Sequence, residues 1–164
     1  MRHHTTAPAA LLGGHRLFYV PPQGLSLADR AAARRQDSGQ RASWPFPAYD
    51  DKTPERAGFN AGIAYGLWGV EPPYAQALAA LTGHLTSHAM NVLVTHRYIV
   101  TAVLRRGLAT VSVLALQGRP RTITDPGAHP DVRRIADAWG CISLAAGPCL
   151  YAAGQIPEDA PEHC

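Results

Sequence analysis

The chain has 164 residues, of which 46% are hydrophobic and 16% charged, with a formal net charge of +3. That length gives one domain with a real core, and the composition excludes an intrinsically disordered chain. Lys52 is the single lysine, and the arginines are scattered, so no basic stripe interleaved with aromatics marks a nucleic-acid surface; direct nucleic-acid binding is not expected.

Three cysteines, Cys141, Cys149 and Cys164, are odd in number and form no C-x-x-C, which argues against a disulfide framework or a zinc ribbon. No uncharged apolar run reaches the ~18 residues needed to span a bilayer. His96-Arg97 and Arg105-Arg106 interrupt the most hydrophobic stretch, and Gly13, Gly14 and His15 interrupt Leu11-Leu12 before a signal-peptide core can form. A soluble, cytoplasmic protein with no membrane contact is expected.

Residues 1 to 40 read as an N-terminal extension. Arg16 to Val20 is strand-like and stops at Pro21-Pro22, and Ser26 is placed to cap a short helix through Arg35. A domain is expected over residues 41 to 156, followed by a loose acidic tail over 157 to 164. Trp44-Pro45-Phe46-Pro47-Ala48 opens it as a strand. Thr53 stands as N-cap with Pro54 at the first helical position, and Phe59, Ile63 and Leu67 carry a helix to Trp68, closed by Gly69.

Pro72-Pro73 starts a second helix. Within it Tyr74, Leu78, Leu81, Leu85, Ala89 and Val92 recur at helical spacing and predict one buried face. His84, His88 and Asn91 run along one edge of that stripe. They either line a pocket under the sheet or simply edge an ordinary core helix. Two β-branched runs follow, Tyr98 to Leu104 and Thr110 to Leu116, which read as an antiparallel hairpin around Gly107, although periodicity alone also allows the first to prolong the helix. Arg121 to Ala128 is an irregular loop, Asp131 to Trp139 is expected to be helical, and Cys141 to Leu144 with Cys149 to Ala152 form a closing hairpin. Both of those cysteines are expected to be buried thiols, with a cross-strand contact open to them.

In order and spacing these phrases resemble the ATPase domain of the anti-sigma-factor serine kinases of actinobacteria, members of the histidine-kinase-like (Bergerat) superfamily. Trp44 to Ala48 is similar to the family's opening R-x-F-P-A, the phrase at Trp68-Gly69 to its A-W-G-L, and the run Asp131 to Cys141 to its A-L-A-D-R-W-G-V. The likeness spans about Arg41 to Ile156 and rests on several modest phrases. It implies an α/β fold, a two-layer sandwich whose mixed, mostly antiparallel sheet is covered on one face by helices.

Set against that family, the chemistry is missing. Its first box reads roughly E-L-V-T-N-A, the Glu acting as base and the Asn holding Mg²⁺; here the place is His84-Leu85-Thr86-Ser87-His88-Ala89. Mg²⁺ prefers hard oxygen ligands, so imidazole replaces the Asn poorly, and phosphoryl transfer depends on that ion. Asn91 lies about 4.5 Å further along the helix from His88. The family's adenine-binding Asp falls at Leu114 or Ala115, which cannot accept a hydrogen bond, and Asp125 lies about ten residues beyond. Its Gly-rich lid is matched by Gly127-Ala128-His129-Pro130-Asp131, in which Pro130 lacks an amide and Asp131 repels phosphate.

A pseudo-ATPase is therefore expected, with no catalytic residue and no cofactor. The former nucleotide pocket is His84, His88, Asn91, Leu114, Ala115, Gly127 and His129. The resemblance implies a protein partner, a sigma factor or a small DNA-binding regulator, and a homodimer or hetero-complex; Arg133, Arg134 and the helix Ser26 to Arg35 are the candidate contact surface. The alternatives are an active kinase with atypical residues, a small-molecule sensor with a pocket lined by His84, His88 and Leu114, or a metal sensor in which His84, His88 and His129 supply the ligands.

Overall fold

A computed structural model of the chain describes residues 39–122 and 125–157. The expected strand Arg16–Val20, the helix Ser26–Arg35 and the tail from residue 158 lie outside the described residues.

A five-stranded sheet carries the domain, built from β1 (Gln40–Pro47), β3 (Arg97–Arg105), β4 (Leu108–Ala115), β6 (Ala138–Leu144) and β7 (Gly147–Gln155) in the order β1-β3-β4-β7-β6. Every neighbouring pair is antiparallel. Two helices, α1 (Thr53–Leu67) and α2 (Pro72–Val92), lie against it, with a small ladder of β2 (Leu93–Val94) and β5 (Arg119–Pro120) beside them. The segment before β6 holds a 3₁₀ turn (Pro126–Ala128) and the short helix α3 (Pro130–Ile135). The result is the two-layer α/β sandwich expected from the sequence. Among the described residues no helix is long and apolar enough to cross a membrane.

Period-2 alternation assigns the sheet faces. Val100, Ala102, Val111, Val113, Ala115, Leu150 and Ala152 point into the core beneath the helices. The hairpin between β3 and β4 turns through Arg106 (φ 49°) and Gly107 (φ 72°), the two consecutive left-handed residues of a type I′ turn, whose twist suits paired strands. The β-branched runs thus pair as a ribbon, with Tyr98 opposite Ala115 and Arg105 opposite Leu108.

On α2, the stripe Leu78, Leu81, Leu85, Ala89 and Val92 is buried as its spacing predicts, while Tyr74 keeps 37% of its surface exposed near the helix start. Two buried threonines share that face; the Thr82 and Thr86 hydroxyls donate to the carbonyls of Leu78 and Thr82 at 2.7 Å, so neither enters the core unsatisfied.

α1 turns its large apolar residues outward. Phe59, Ile63 and Leu67 are 68%, 48% and 82% exposed, and the buried face is Ala57, Gly58, Ala61, Ala64 and Tyr65. The cause is close helix contact: a β-carbon at Gly58 would stand 2.7 Å from the Ala79 carbonyl oxygen, and one at Gly62 3.0 Å from the Ala79 methyl. Only small residues fit that seam, so the large ones are turned outward. Thr53 is the first helical residue, not the cap; its hydroxyl donates to the Pro47 carbonyl, and Lys52 occupies the cap position.

The expected helix from Asp131 to Trp139 stops at Ile135. Ala136 is already extended, the Asp137 amide donates to the Ala153 carbonyl, and the Asp137 carboxylate accepts from the Gln155 amide. Pairing with β7 outweighs helix propensity there, and Trp139 becomes a buried strand residue opposite Ala152. Cys141 faces Leu150 and Cys149 faces Ile142, so the two thiols occupy successive registers on opposite faces of the sheet, and both are free.

Candidate functional site

Helical periodicity puts His84 and His88 one turn apart on the same side of α2. The lid segment folds over them. Asp125 starts its 3₁₀ turn by accepting a hydrogen bond from the Gly127 amide at 2.9 Å on Oδ1. Gly127 packs so close to Trp139 that a β-carbon would run into the indole, which is why a glycine is needed here. Pro130 then leads α3 away, leaving His129 and Asp131 turned towards α2.

His84 and His129 meet with ring centroids 4.9 Å apart and a tilt of 38°, and His88 meets His129 edge-on at 6.4 Å. Asp131 Oδ2 lies 3.6 Å from His84 Nε2 and 4.0 Å from His129 Nδ1. Its other oxygen is 3.4 Å from the Arg134 guanidinium. His129 Nδ1 and His88 Nε2 are buried without hydrogen-bond partners. Burial, reinforced by the neighbouring His129, holds the His88 pKa below the ordinary histidine value, against the Asp125 backbone and charge, which act the other way. His88 is consequently a neutral imidazole at neutral pH, with a lone pair to offer.

The lid's amides are consumed internally. Gly127 donates to the Asp125 side chain, Ala128 to the Asp125 carbonyl and His129 to the Pro126 carbonyl, while residue 130 is proline. A phosphate cradle requires such amides to point outward. A cavity of about 150 Å³ sits elsewhere, between Trp68, Val70, Tyr74, Leu104 and Ile156, and is below the size of ordinary ligand pockets.

Of the residues marked out by sequence, the fold gathers His84, His88, Gly127 and His129. Asn91 is exposed on α2. Leu114 lies opposite Ile99 and Cys149 on the sheet face away from the helices, so it does not line this site. Ala115 is buried at the end of β4 against Gly118. Arg133 and Arg134 are exposed on α3. The sequence marks Asp131 only as a charge hostile to phosphate; the structure sets its carboxylate between two histidines.

No protein-family model matches the chain, and no curated protein is similar to it.

Proposed function

We propose that this protein is a non-catalytic regulatory domain, similar to an anti-sigma factor, that sequesters a sigma factor or small DNA-binding regulator by protein contact. The reading rests on the resemblance drawn from the sequence, and the element order agrees with it: an opening strand, two helices, a hairpin, a lid segment and a closing hairpin.

The observation that carries the non-catalytic part is the lid. Where the family would hold triphosphate, three successive amides are bonded inside the turn, and the space above α2 holds the His84 and His129 rings and a carboxylate. An anion placed there meets Asp131 and no free donor among those three amides. The exposed Phe59, Ile63 and Leu67, at i, i+4 and i+8 on one face of α1, support a protein-binding role, because such spacing suits helix-to-groove recognition.

Two measurements test the proposal. Calorimetry with Mg²⁺-ATP should show no saturable binding up to about 1 mM, and saturable micromolar binding would falsify the pseudo-ATPase reading. Co-expression with individual sigma factors of the source organism should yield one stable complex that Phe59→Glu together with Leu67→Glu abolishes. A complex indifferent to those changes removes α1 from the interface, and no complex with any of them refutes sequestration of a sigma factor.

A further inference from the structure

We propose that His84, His129 and Asp131 form a binding site for one divalent transition-metal ion of the zinc class, which ties the lid helix α3 to α2. This inference stands on the geometry of the cluster and holds whether or not the regulatory reading does.

The donor atoms of the three residues all lie within 4.8 Å of one another. A tetrahedral shell with bonds of about 2.1 Å separates its ligands by about 3.4 Å. The His84 Nε2 to Asp131 Oδ2 distance of 3.6 Å is already close to that edge, and the 4.0 Å from His129 Nδ1 to the same oxygen needs only a small inward movement. Two imidazoles and a carboxylate are a borderline donor set, suited to zinc, cobalt or nickel and ill suited to Mg²⁺ or Ca²⁺.

The surroundings favour occupancy. His129 Nδ1 is buried with no hydrogen-bond partner, and its 4.0 Å gap to Asp131 is too long for one. A buried polar atom of this kind destabilises the fold unless something satisfies it, and a bound cation does so directly. Arg134 holds Asp131 Oδ1, which leaves Oδ2 turned to the histidines in the manner of an outer-sphere partner. Pro130 fixes the backbone between the two lid ligands, so His129 and Asp131 reach the site with little conformational freedom left to lose. The three side chains are half-buried, giving an ion a path in.

Zinc chloride titrated by calorimetry into the full-length chain, stripped of metal beforehand, tests this. One equivalent should bind with micromolar affinity or better, and Co²⁺ should give the visible absorption of a tetrahedral site. His84→Ala and Asp131→Asn should each weaken binding by about tenfold or more, whereas Asn91→Ala, an exposed change on the same helix, should leave it intact. Circular dichroism of each variant establishes folding. In the unaltered protein, zinc should also increase hydrogen-exchange protection over residues 125 to 135. Absence of saturable zinc binding below about 1 mM, or an affinity unchanged in the His84→Ala, His129→Ala double variant, would refute the site.

Discussion

Adding one methyl group to α1 should raise or lower stability according to position alone. At Gly58 a β-carbon stands 2.7 Å from the Ala79 carbonyl oxygen and 3.6 Å from the Gly83 nitrogen. Carbon-to-oxygen contacts in packed helices settle near 3.3 Å, so α1 and α2 must part by about 0.6 Å. Overpacking of that kind costs about 1–3 kcal/mol, against a helix-propensity gain near 0.8 kcal/mol. Gly58→Ala should therefore lose about 0.2–2 kcal/mol, lowering Tm by up to roughly 6 °C. At Gly66 nothing lies within 4 Å of the β-carbon and φ is not positive, so Gly66→Ala keeps most of the propensity gain and should raise Tm by about 2 °C. Differential scanning calorimetry or urea unfolding of the two variants reads the contrast. If both substitutions shift Tm the same way, the helices do not meet through a glycine seam, and the outward turn of Phe59, Ile63 and Leu67 loses its explanation.

The Tyr65 hydroxyl shares its proton between the Val103 carbonyl at 3.1 Å and the Thr110 carbonyl at 2.8 Å, pinning α1 to the β3–β4 hairpin; Tyr65→Phe should cost about 1–2 kcal/mol in urea unfolding, and an unchanged midpoint would mean that water replaces the bond. Burial pushes the Cys149 thiol up to about 12, with the Ser112 side chain acting the other way, so the group stays protonated at pH 8. Iodoacetamide at that pH should spare Cys149 in the folded protein and modify it after denaturation, read by peptide mass mapping; rapid alkylation of the native thiol would contradict its burial.

Much of the fold was legible because burial and periodicity coincide where large residues make the core. On α2 the apolar stripe is the buried face, and on β3 and β4 the β-branched runs bracket a left-handed turn that Gly107 supplies. α1 was legible as a helix and illegible in its orientation. Hydrophobicity points Phe59, Ile63 and Leu67 inward, but the distance between the helices is set by the smallest residues present, and Gly58, Gly62 and Ala79 allow nothing larger between them. Helix α3 was overextended for a different reason: the run to Trp139 has acceptable helix propensity, and only long-range pairing of Asp137 with Ala153 and Gln155 draws it into the sheet. In the candidate site, the histidine pair on α2 was visible from spacing alone. The place of Asp131 was not, because it depends on the turn that brings residues 129 to 131 back across the helix.

The proposed loss of nucleotide and the proposed gain of metal draw on the same positions. Where the family that the sequence resembles has a Glu, this chain has His84, an imidazole donor. His129-Pro130-Asp131 brings two further donors, on a backbone stiffened by the proline between them. Here the lid residues converge on His84 with donor atoms within 4.8 Å, and one of the imidazole nitrogens is left buried without a partner. That residual polar cost is what an evacuated pocket would shed and a ligand site would retain. The zinc titration tests the donor cluster and the Mg²⁺-ATP titration tests the proposed absence of nucleotide binding, so either result stands without the other.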